Sequence, residues 1–182
     1  MDPRNDEALR TELRREANRV LIDAEYTGRQ HMEMGRWWRQ RSTWIGLPAA
    51  LIATAASGGA GLSALLGWGT ALTVFLGFAG AIAGAIRAFF KPEEQAEAHV
   101  AKGAACIAIR NEARRFMNID LRSGASLDAL VDQVRLLGEK YDSLRAQEPL
   151  HLAEWTYPKV KAQIEAGNYD YENDRLWQSR EG

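Results

Sequence analysis

The sequence predicts an all-α chain built around a two-span transmembrane helical hairpin, and three observations carry that reading. Between Arg41 and Arg87 the 45 residues from Ser42 to Ile86 hold no charged side chain. A hydrocarbon core about 30 Å thick takes roughly 20 apolar residues per helix, so this length fits two spans and a tight turn. The segments on either side repeat apolar residues at helical spacing. Arg36, Arg39 and Arg41 flank one end of the hairpin and Arg87 and Lys91 the other, while the turn Gly67-Trp68-Gly69 is uncharged. By the positive-inside rule both termini then face the cytoplasm.

Overall charge is nearly balanced, 23 Lys and Arg against 24 Asp and Glu. The basic stripe of a nucleic-acid binder is absent, and no nucleic-acid partner is expected. One cysteine, Cys106, excludes an intrachain disulfide and fits a reducing compartment. The apolar run follows 41 residues dense in charge, so it does not read as a cleavable signal peptide.

The elements follow in order. Residues 1–42 contain an amphipathic helix from 5 to about 40, opened by Asn5 or Asp6 as N-cap. Leu9, Leu13, Ala17, Val20 and Ala24 recur at helical spacing and mark the face that seeks a partner. Trp37, Trp38, Arg39, Arg41 and Trp44 stand where this helix reaches the membrane interface, a depth at which tryptophan is enriched, with Lys91 at the other end. The hairpin occupies 43–90, with spans near 43–66 and 70–90. Pro48 falls early in the first span, where a missing N–H is tolerated.

A cytosolic helical region covers 91–167. Glu93 and Glu94 sit in the first turn after Pro92, at the positive end of the helix dipole. Ala96, Val100, Ala104 and Ile107 give this helix a modest stripe up to Asn118. Ser126 caps a second helix whose Leu127, Leu130, Val134, Leu137, Tyr141 and Leu144 form a clean apolar stripe, ended by Pro149. A last short helix starts at Pro158, turns Val160 and Ile164 inward and ends near Gly167. Residues 168–182 form a polar tail.

Within the second span Thr70, Thr73, Gly77, Gly80, Gly84 and Arg87 are spaced 3, 4, 3, 4, 3 and share one helical face. Each glycine costs about 1 kcal/mol relative to alanine in a water-exposed helix, a loss that close helix contact in lipid offsets. Such a face either zips the hairpin or gathers several hairpins around an axis. With Thr54 and Ser57 of the first span, the threonines supply hydroxyls suited to lining a pore. Arg87 anchors the cytoplasmic end, or forms an anion-favouring ring at the mouth.

No Walker loop, nucleophile elbow, dinucleotide fingerprint or metal-spaced Cys/His cluster occurs, so no catalytic residue, metal or cofactor is expected. His31, His99 and His151 are isolated along the chain and read as packing or surface residues. Arg110, Arg114 and Arg115 offer a basic cluster for an anionic ligand, or a solvated helix face.

The layout of EYTGRQHMEMGRWWRQRSTWIGLP, a two-span hairpin, AFFKPEEQAEAHVAKGA and a leucine-striped helix resembles the SLATT domain over residues 16–167. The motif of that resemblance runs from Pro92-Glu93-Glu94 to His99. It implies a two-transmembrane effector of bacterial conflict systems, forming homo-oligomeric pores in the inner membrane during phage infection. The implied partners are membrane lipid, further copies of the chain, and a nucleotide second messenger or adjacent sensor protein as trigger. A non-conducting membrane scaffold is the alternative.

Overall fold

The computed structural model describes residues 3–66, 69–147 and 150–169, with side chains at all of these except 3, 4, 45, 48–66, 69–73 and 76. Five α-helices follow one another: α1 Pro3–Leu66, α2 Gly69–Phe90, α3 Pro92–Asn118, α4 Leu127–Ala146 and α5 Thr156–Glu165, with a single 3-10 turn at Asp120–Arg122. The described residues contain no strand. The all-α expectation holds. Among the described residues no helix is long and apolar enough to cross a membrane. The side chains of most of the first expected span and of the start of the second, those of Thr54, Ser57, Thr70 and Thr73 included, and the whole of Gly67 and Trp68 lie outside what is described.

The chain divides into two compact units, 1–34 with 99–182, and 35–98. In the first unit the core joins Leu13, Ala17, Val20 and Ala24 of α1 to Ile109, Ala113 and Phe116 of α3 and to Leu130, Val134, Leu137 and Tyr141 of α4. These are the stripes that the sequence marks, since positions 3 and 4 apart stack on one helical face. The core begins at Leu13, and Leu9 stays exposed. Burying a side chain such as Leu130, which has no accessible surface, contributes about 1.5–3 kcal/mol.

Polar contacts fix the ends of these elements. The Arg10 guanidinium donates to the Leu121 carbonyl at 2.7 Å and holds α1 to the connection before α4. Ser126 caps α4, its hydroxyl accepting from the Ala129 amide. The Lys102 ammonium donates to the Gln147 carbonyl beyond the last turn of α4 at 3.0 Å. Lys159 of α5 reaches the buried Glu33 carboxylate at 2.6 Å.

Three boundaries differ from expectation. A separate N-terminal helix and first span are instead one helix, α1, which passes through Pro48 and begins at Pro3, ahead of Asn5. No glycine pair or turn-forming cluster lies between residues 28 and 46 to stop it. The compact units divide at 34/35 and 98/99. Helix α5 starts at Thr156, whose hydroxyl donates to the Ala153 carbonyl at 2.7 Å. Pro158 falls in its first turn, where helix amides have no partner in any case. Gly167 follows that helix at φ 70°, a left-handed conformation that glycine adopts without strain.

Candidate functional site

In the 35–98 unit the chain leaves α2 through Lys91, whose φ of 42° is left-handed and unusual for a residue with a Cβ. Pro92, fully buried, then opens α3. Glu93 in its first turn accepts the Ser42 hydroxyl at 2.6 Å and the Arg87 guanidinium. The hydroxyl bond first, then the backbone amide of Glu93 itself and the guanidinium, hold its carboxyl below the usual carboxylate range. Glu94 pairs with Lys91 at 3.0 Å. Each residue of the Lys-Pro-Glu-Glu run therefore has a local task at one junction of α1, α2 and α3.

Arg87 also lies across Gly46, where an added Cβ would stand 3.3 Å from its Nη1. Its guanidinium is thus paired with Glu93 of α3, packed beside Gly46 of α1 and half open to solvent. At Gly77 and Gly84 an added Cβ would meet nothing within 4 Å, so this part of the glycine face is open. Around it stand exposed apolar side chains: Phe75 is 68%, Phe78 69% and Phe89 82% accessible, and Trp44 79%. Trp37 and Trp38 meet edge to face at 4.9 Å, with the Arg41 guanidinium 4.0 Å over the Trp37 ring. Arg39 is exposed beside them.

The other unit contains a close crossing of α1 and α3 that sequence reasoning missed. A Cβ at Gly103 would stand 2.9 Å from the Gly28 carbonyl oxygen, and one at Gly28 would stand 3.0 Å from the Cys106 Cβ. One turn on, His31 and His99 bring their Nδ1 atoms to 2.9 Å, both rings almost wholly buried. Burial above all, then the His99 ring and the Lys102 charge, pushes His31 from 6.5 to about 4. Burial and Lys102 lower His99 in the same direction. Both rings are neutral at pH 7, one donating from Nδ1 and the other accepting there. Gly28 and His31 share a face of α1, as His99 and Gly103 share one of α3, a spacing that does not say which faces meet.

The same unit holds a cavity of about 760 Å³ beside this crossing, walled by His31 and Tyr26 of α1, Lys102 of α3, Arg145 of α4 and Tyr157 and Lys161 of α5. The expected arginine cluster does not converge on it. Arg110 is buried and turned to the Glu25 carboxylate at 3.6 Å. Arg115 lines a smaller depression of about 260 Å³ with Glu112, Asp120 and Lys140, where acidic and basic groups balance. Arg114 is half-buried and lines neither. Cys106, buried with its thiol pushed up by that burial, has no nucleophilic character at neutral pH.

The chain matches no family model, no curated protein and no solved structure.

Proposed function

We propose that the chain is a membrane effector whose hairpin, 43–90, assembles with copies of itself into a pore in the bacterial inner membrane. The unit formed by 1–34 and 99–182 receives the signal, a nucleotide or an adjacent sensor protein, that opens it. The observation that carries the reading is the apolar surface of α2. Val74, Phe75, Phe78, Ile82 and Ile86 are all exposed in the stretch without charge from Ser42 to Ile86, and Phe89 and Phe90 are exposed just beyond Arg87. Contiguous apolar surface of this extent marks contact with lipid or protein. A helix of 22 residues rises about 33 Å, enough for a hydrocarbon core of about 30 Å.

The open glycine face supports assembly. With nothing against Gly77 and Gly84 in the single chain, small residues that gain only by close backbone approach find partners in neighbouring hairpins. The basic residues at the hairpin ends, Arg36, Arg39, Arg41 and Lys91, are exposed and suit phospholipid headgroups. The defence role rests on the SLATT resemblance.

The test is membrane potential in cells expressing wild type or Gly84→Leu, read with a depolarising dye and with carbonate extraction of the membranes. Depolarisation by wild type alone, with both proteins in the membrane fraction, supports the pore. Equal depolarisation by the variant removes the glycine face from the pore, and release of the protein by carbonate sinks the membrane reading. Insertion without depolarisation by either protein, with and without the cognate signal, favours a scaffold.

A further inference from the structure

The 760 Å³ cavity falls within the range of about 300–1,000 Å³ over which proteins bind small molecules. Three cations line it, Lys102, Arg145 and Lys161, against one carboxylate, Asp23, which is itself drawn to Arg19 at 3.4 Å. A lining with this excess of positive charge selects an anion. Lys161 has a competing carboxylate in Glu165, at 3.8 Å on an exposed face, and such a pair is weak enough for a ligand to displace. The lining is also aromatic: the Tyr26 and Tyr157 rings lie 5.9 Å apart and tilted by 31°, with Tyr157 52% accessible and one turn before Lys161 on α5.

We propose that this cavity binds a nucleoside polyphosphate. Arg145 and Lys161, with Lys102 deeper in, hold the phosphates. The guanidinium of Arg145 offers the planar fork that matches phosphate oxygens, and the lysines act as point charges. Tyr157 and Tyr26 take the base against their rings, and stacking on a tyrosine face is worth most where water is displaced from both surfaces. His31 completes the wall and brings no carboxylate to compete with the phosphates. Binding stands whether or not the hairpin conducts; only the step in which the ligand opens a channel rests on the pore reading.

The experiment is calorimetric titration of the full chain, purified in detergent without added divalent metal, with ATP, with tripolyphosphate and with adenosine. Arg145, Lys161 and Tyr157 are all exposed, so Arg145→Ala/Lys161→Ala and Tyr157→Ala keep the fold, checked by helix content. We expect saturable ATP binding, weaker binding of tripolyphosphate and weakest of adenosine. The double variant loses at least about tenfold in ATP affinity. Tyr157→Ala weakens ATP several-fold and leaves tripolyphosphate unchanged. Absence of saturable ATP binding, or ATP bound equally by the double variant, overturns the site. ATP affinity untouched by Tyr157→Ala overturns the nucleoside part of it. Gly84→Leu should bind ATP as wild type does, so failure of the pore and failure of this site are read separately.

Discussion

His31 and His99 face each other through their Nδ1 atoms at 2.9 Å, and this contact can exist only while at least one ring is neutral. In the unfolded chain an imidazole takes up its proton near pH 6.5, whereas in the fold His31 does so only at about 4. Between those values the unfolded state binds more protons, so acid favours unfolding. The stability conferred by the neutral pair is complete above about pH 6.5 and lost as pH falls toward 4. Melting temperatures from pH 7.5 to 4.5 should drop more steeply for wild type than for His31→Gln/His99→Gln. Parallel curves would show that the pair is not what titrates.

Gly103→Ala should destabilise the 1–34 and 99–182 unit by about 1–3 kcal/mol, because the added methyl meets a backbone carbonyl that cannot move aside alone. Gly84→Ala meets nothing in the single chain, so its melting curve should match or exceed wild type. Chemical denaturation of the two variants side by side checks the contrast, and equal losses would refute the close crossing.

Leu130→Ala removes a side chain that has no accessible surface and touches helices on both sides of the core. A loss of about 2–5 kcal/mol is expected, without change in helix content at low temperature. Leu9→Ala, on the same helical stripe of α1 as Leu13 but exposed, should cost far less. Urea midpoints decide it.

Lys91→Gly should raise stability by about 0.5–1 kcal/mol, since φ of 42° strains any residue with a Cβ and the Lys91–Glu94 pair it removes is exposed. The gain should be absent in Lys91→Ala. Thermal melts of the two variants beside wild type check this, and an equal gain in both would refute the strain at Lys91.

What was legible in the sequence was what local pattern dictates. The stripe from Leu127 to Leu144 became the buried face of α4, and Ser126 became its cap because a hydroxyl before a helix has one obvious use. The extent of α1 was less legible, since a proline reads as a helix start whether or not the preceding turn is already helical. The histidine pair and the cavity were not legible. They join residues 68 positions apart in the one case and four helices in the other, and nothing in a single sequence reports which faces meet. The arginines separate for a related reason: Arg110 and Arg115 are five apart, and that rotation carries one inward to Glu25 and the other to the surface.

Cys106 gives the molecule a built-in clock. It is the sole thiol of the chain and is 1% accessible, packed where a Cβ on Gly28 would touch it. A maleimide dye therefore finds no target until α1 and α3 part, and its rate of attachment times that opening directly. The same shelter makes the natural chain a clean background for single cysteines placed along the hairpin. Labelling from one side of a membrane would then map which positions water reaches, with no engineered removal of native thiols.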